Sequence, residues 1–215
     1  NFIDGLDGLA AGVVGIGTLA FFVYSYVLAQ QTSPTDYFSI AGMLSAVVLG
    51  AIAGFLPHNF SPAKIFMGDS GAMLLGLMMA TSAIAVTGSI DPATVTRNDL
   101  LPALIPLVLP VVILLVPLLD LLLAVVRRVR RGQSPFAADR EHLHHQLQDL
   151  GHSHRGAVLV FYHWTTVVSL CLLLFFWIEA APVIIIFGAW MIIALIHTYW
   201  PVFRRVTKAR SSLGK

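Results

Sequence analysis

Charge is what this chain has least of. Only 11% of its 215 residues are Asp, Glu, Lys or Arg, and 57% are hydrophobic. An ordinary soluble domain carries about a quarter charged residues. A chain this apolar has too little polar surface to cover a water-soluble globule, and too little polarity to stay disordered. The sequence holds a single cysteine, Cys171, inside an apolar run. That excludes an intrachain disulfide and a cysteine metal site. The net charge of +2 excludes the electrostatic footprint of a nucleic-acid binder. The order of charged and apolar regions expected of a signal peptide is also missing: the first residue is Asn1, with Asp4 and Asp7 close behind. The expectation is a C-terminal fragment that opens inside a functional segment.

What the chain has in abundance is long apolar runs. Six reach the length of about 20 residues that a bilayer-crossing helix needs: 8–29, 38–56, 70–90, 100–126, 156–178 and 180–203. They are too long for buried strands and lack two-residue alternation, so the expected class is an all-α, polytopic membrane helix bundle with six transmembrane helices. The spacings Gly8–Gly12 and Gly50–Gly54 suit close helix approach or ordinary glycine-rich turns. Pro102, Pro106, Pro110 and Pro117 predict a kinked fourth span. Asp120 falls near its boundary, either paired with Arg127 or Arg128 or part of a site.

The six spans divide the connecting segments between two sides. Twelve of the 13 Lys and Arg residues fall on one side, and only Arg97 on the other. The basic side is therefore predicted to be cytoplasmic. Residues 1–203 read as the membrane domain and 204–215 as a mobile basic cytoplasmic tail.

Three polar clusters share that side. The first runs Asn1-Phe2-Ile3-Asp4-Gly5-Leu6-Asp7-Gly8. Asp4 and Asp7 share a face if helical, and with Asn1 they suit a metal or a nucleotide; the alternative is that Asp7 caps the first helix. The second is Pro62-Ala63-Lys64-Ile65-Phe66-Met67-Gly68-Asp69-Ser70-Gly71. Asp69 lies where the third span begins, so it can cap that helix or hold Mg²⁺ beside a phosphate. Gly-Asp-Ser-Gly also occurs in trypsin-like proteases, but nothing else here resembles a β-barrel protease. Asn59-Phe60-Ser61 matches a glycosylation triplet on the wrong side of the membrane. The third cluster follows Arg127-Arg128-Val129-Arg130-Arg131 and reads Asp139-Arg140-Glu141-His142-Leu143-His144-His145. The arginine run fits a topological stop. The histidines offer no compact zinc set, and with Arg140 they suit a diphosphate better.

In this order the three clusters resemble the polyprenyl-phosphate N-acetylhexosamine-1-phosphate transferases. They are most similar to the bacterial undecaprenyl- or decaprenyl-phosphate N-acetylglucosamine-1-phosphate (WecA-type) members of glycosyltransferase family 4. The resemblance covers essentially the whole chain. It implies transfer of a sugar 1-phosphate from a UDP-sugar to a polyprenyl phosphate with release of UMP, an early membrane step of cell-envelope polysaccharide synthesis. It assigns Mg²⁺, with Mn²⁺ as a substitute, to Asp69. It places Asp4, Asp7 and Asn1 in the nucleotide-sugar site and His142, His144 and His145 at the donor phosphates, with Lys64 and Arg140 as helpers. It also implies an upstream Asp-Asp pair and further spans before Asn1, so that the fragment alone is expected to be inactive. Membrane lipid, the two substrates and a second copy in a homodimer are the expected partners.

Two other readings compete. Phospho-N-acetylmuramoyl-pentapeptide transferase is the nearest, but its third motif has three consecutive histidines, whereas Leu143 interrupts them here. A transporter would explain a proline-broken span with an acid, but would put its polar groups near the midplane rather than at one face.

Overall fold

The computed structural model describes residues 4–32, 39–89, 104, 108, 111–112, 122, 125–134, 143–175 and 177–213. Among them there is no strand. Six helices run Leu9–Thr32 (α1), Ile40–Asn59 (α2), Gly68–Ser89 (α3), Leu143–Asp149 (α4), His154–Leu174 (α5) and Ala180–Leu213 (α6). All but α4 are long and apolar enough to cross a membrane. The chain is thus an all-α polytopic bundle. Most of the expected fourth span lies outside the described residues, as do Asp120 and the four prolines.

α1 is the hub. It packs against α2, α3 and α5, and α5 in turn carries α6 and the short α4. Its buried side includes Leu9, Ala11, Val13, Phe21 and Tyr24, joined by Val48 and Ile52 from α2 and by Val158 and Phe161 from α5. Small residues let these helices approach closely. Gly12 is the extreme case: a Cβ there would lie 1.9 Å from the Tyr162 ring. The close contact at this glycine is therefore with an aromatic ring laid across α1. Gly50 and Gly54 meet nothing within 4 Å, so they are ordinary helical glycines among the described residues.

Polar side chains join α5 to α6. Trp190 Nε1 donates to His163 Nε2 at 3.0 Å. The indole can only donate, so in a neutral imidazole the hydrogen of His163 sits on Nδ1. That nitrogen lies 3.1 Å from Nδ1 of His197. Trp164 Nε1 donates to Thr198 Oγ1 at 3.2 Å, and His152 Nε2 meets the Thr198 carbonyl at 2.8 Å. Hydrogen bonds of this kind hold helices together where lipid offers no polar alternative.

Two helix ends differ from the sequence expectation. α2 continues through Pro57 to Asn59. The proline lies near the end of the helix, and Phe60 N still reaches the Leu56 carbonyl at 2.8 Å. α6 continues past Pro201 to Leu213, so the basic segment from Arg204 onward is helical as far as that residue. Arg204, Arg205, Lys208, Ala209 and Arg210 are all residue types that favour helix. At 34 residues α6 is about 50 Å long, well over one hydrocarbon thickness.

Candidate active site

The polar clusters meet at one end of the bundle, and hydrogen bonds between distant parts of the sequence fix how. The turn at residues 4–8 precedes α1, and the loop at residues 60–67 joins α2 to α3. Asp7 Oδ2 accepts from Ala63 N at 3.1 Å. Gly8 N donates to Asn59 Oδ1 at 3.0 Å, while Asn59 Nδ2 donates to the Ile65 carbonyl at 2.9 Å. Asn59 is buried, and it bridges the turn and the loop with both ends of its amide. The loop closes on itself through Lys64 N and the His58 carbonyl at 2.8 Å. The first cluster and the metal-motif loop are thus one fastened unit.

The alternative role for Asp7, capping α1, is not what the structure shows. The first turn of α1 begins with Leu9 N on the Leu6 carbonyl, and the Asp7 carboxylate points across to Ala63. Asp69 is the second residue of α3, in its first turn, and is exposed. Gly68 before it has φ +65, a left-handed conformation that suits glycine and turns the loop into the helix. Asp69 therefore stands at a helix end whose unsatisfied amides favour negative charge.

Asp4 lies close enough to both of the other acids to feel them. Burial raises its pKa above the ordinary carboxylate value, and the charges of Asp69 and Asp7 add to the rise. Three carboxylates drawn from two segments therefore share one field, and a cation placed among them would relieve their repulsion. Among the described residues, no three His, Cys, Asp or Glu side chains form a ready metal cage. Mg²⁺ does not need one, because it usually takes one or two carboxylates and completes its shell with phosphate oxygens and water. The hard oxygen donors present fit that ion.

The third cluster reaches the same end through α4. Leu147 of α4 is buried in the core that also holds Leu6 and Leu9, with Leu143 and Leu150 packed against it. His144 and His145 are on this helix, but their side chains lie outside the described residues, as do Asn1, Arg140 and His142 entirely. Lys64 is exposed in the 60–67 loop. The end of α6 closes the group: the Arg205 guanidinium lies against Gly151, which links α4 to α5.

Three participants were not among the sequence candidates. Asn59 was legible only as a false glycosylation triplet. Arg155 counted only as a topological charge, yet its Nε donates to the Ser61 carbonyl at 2.7 Å. Tyr162 sits inside a span and donates its hydroxyl to the Gly8 carbonyl. Nothing local marks any of the three, because each makes a contact with a residue far away in sequence.

A model of glycosyl transferase family 4 matches residues 1–87, which contain both acid-bearing segments. Decaprenyl-phosphate N-acetylglucosaminephosphotransferase of Mycolicibacterium smegmatis is 42% identical over 205 residues, covering 95% of this chain and 50% of that protein. The chain is thus similar to glycosyl transferase family 4 in its first 87 residues and to this transferase along most of its length. A probable undecaprenyl-phosphate N-acetylglucosaminyl 1-phosphate transferase of Bacillus subtilis is 38% identical over 75% of the chain and 40% of that protein. Phospho-N-acetylmuramoyl-pentapeptide-transferase of Staphylococcus aureus is also similar, at 42% identity, but over only 39% of the chain and 24% of its own length. The chain thus spans half or less of the length of these family 4 relatives.

Proposed function

We propose that the protein containing this chain transfers N-acetylglucosamine 1-phosphate from UDP-N-acetylglucosamine to a polyprenyl phosphate at the cytoplasmic face of the cell membrane, releasing UMP. The observation that carries this reading is that the Asp4–Asp7 turn and the loop leading to Asp69 are hydrogen-bonded together at one bundle end, with the Asp4 pKa raised first by burial and then by the charges of Asp69 and Asp7. Two kinds of support add to it. The N-acetylglucosamine transferases align along most of the chain, whereas the muramoyl-pentapeptide enzyme aligns over a minor part. The basic residues concentrate on the side that carries the three clusters.

The chemistry needs a site of this kind. The lipid phosphate is largely ionised at neutral pH, its second pKa being about 6, so no strong base is needed. One of its oxygens attacks the sugar-bearing phosphorus of the donor. The bond from that phosphorus to the bridging oxygen breaks, and UMP leaves with the electron pair. The difficulty is charge, since an anion must approach a diphosphate. Bound Mg²⁺ would supply charge neutralisation for the diphosphate and the departing UMP. Asp69 would hold the ion, and Asp4 and Asp7 would orient the ion's shell and the nucleotide. His142, His144, His145, Lys64 and Arg140 would donate to the phosphates, and Asn1 to the nucleotide sugar. A site at the end of apolar helices lets the acceptor keep its tail in hydrocarbon while the donor arrives from water.

The test is the full-length protein in membranes, given polyprenyl phosphate and Mg²⁺ with either UDP-N-acetylglucosamine or the UDP-muramoyl-pentapeptide donor. UMP release with the first donor is expected, with loss of nearly all activity in Asp69→Asn. Turnover of the muramoyl donor alone would reassign the substrate. Solute uptake without UMP would indicate a transporter.

A further inference from the structure

α5 carries two residues, seven apart, whose side chains reach the two halves of the acid site. The helix starts at Ser153, whose hydroxyl accepts from Gly156 N at 3.1 Å. Arg155 follows in the first turn, and Tyr162 stands nearly two turns on, on the same face. Arg155 Nε donates to the Ser61 carbonyl in the loop that leads to Asp69. The Tyr162 hydroxyl donates to the Gly8 carbonyl, next in the chain to Asp7. That carbonyl also accepts from Gly12 N at 3.0 Å, so both of its lone pairs are used and the start of α1 is pinned. The Tyr162 ring covers Gly12, where no side chain fits.

These contacts close a ring. From Tyr162 the path runs to Gly8, to Asp7, to Ala63 through the carboxylate, to Ser61, to Arg155, and back along one rigid helix. The Asp7–Ala63 bond and the Asn59 amide fasten the turn to the loop near the ends of α1 and α2, and α5 adds a second, rigid connection between the two. With α5 holding each half, their separation becomes a property of a helix. We infer that Tyr162 and Arg155 are positioning residues that hold the Asp4–Asp7 turn at a fixed distance from the Asp69 loop, without touching the reacting groups. The inference rests on the transferase reading for its kinetic consequence and on geometry alone for its structural one.

The two are separable in one experiment on the full-length protein in membranes. Tyr162→Phe keeps the ring over Gly12 and removes only the hydroxyl. Loss of one hydrogen bond to the backbone predicts a kcat lower by roughly three- to tenfold, with KM for UDP-N-acetylglucosamine within about twofold of wild type. Hydrogen–deuterium exchange should rise in residues 4–8 and 60–67 while the rest of α1 stays protected. Arg155→Met, which keeps the apolar stem, should raise exchange in 60–67, and Arg155→Lys should restore part of the protection and of kcat. Unchanged exchange in both segments for Tyr162→Phe overturns the clamp, as does an unchanged kcat in an active enzyme. Should Tyr162→Phe fail to fold, Arg155→Met decides in its place, and unaltered exchange at 60–67 refutes the inference. A wild-type protein that releases no UMP removes the transferase reading, yet the exchange result still judges the clamp.

Discussion

Helices α1 and α6 are both apolar enough to cross a bilayer, yet they meet opposite surroundings. In α1, 56% of the apolar window is buried within the structure, against 11% in α6. Val13 of α1 is 1% exposed and Ile185 of α6 is 71% exposed. The difference is in side-chain size rather than hydropathy. The first half of α1 reads Leu-Ala-Ala-Gly-Val-Val-Gly-Ile-Gly-Thr, whereas α6 carries Val-Ile-Ile-Ile and Met-Ile-Ile-Ala-Leu-Ile. Lipid tails are as apolar as leucine, so bulk confers no preference for protein over lipid; small residues do, because they let backbones and rings come close. The hub helix is also the one that begins at the acid turn, so the tightest packing supports the candidate site.

The largest expected way to break this contrast is a charge on the exposed face of α6. Ile193→Asp should cost about 2.5–3.5 kcal/mol of insertion free energy, seen as a lower inserted fraction in a membrane-insertion assay. Full insertion would mean that this face is not in contact with lipid. Next is Gly12→Ala, whose new methyl collides with the Tyr162 ring. Overpacking of this kind predicts a loss of about 1–3 kcal/mol, measured as thermal stability in detergent, with activity falling as the ring is displaced. Smallest is Gly188→Ala on α6, which meets nothing within 4 Å. It should be neutral or stabilising by up to about 1 kcal/mol, because alanine loses less backbone freedom in a helix. Equal costs at Gly12 and Gly188 would erase the distinction between the two helices.

The sequence made the helices legible because each membrane span must satisfy its own backbone within a continuous apolar run, a pattern that survives without any tertiary knowledge. Motif order and membrane side also pointed to Asp4 and Asp69 as candidates for one site, and the structure joins the segments that carry them. Helix ends were less legible. Pro57 marks a natural stop for α2, yet the helix runs two residues beyond it, and Arg204 looked like the start of a tail because charge leaves the membrane there, although a helix continues equally well in water. The fastening of the site was not legible. Asp7 looked like a helix cap, and its true partner is 56 residues away. Tyr162 looked like one more aromatic in a span, and its partner is 154 residues away. Such pairs leave no local periodicity, since they depend on which helices pack side by side.

The central claim is that the turn before α1 and the loop before α3 act as a single charged site. A double-mutant cycle on kcat/KM for UMP release by the full-length protein tests it, using Asp4→Asn, Asp69→Asn and the pair together. Residues that work as one unit are strongly non-additive, so the double variant should be scarcely worse than the more damaged single variant. Losses that multiply, as for two independent sites, would contradict the claim.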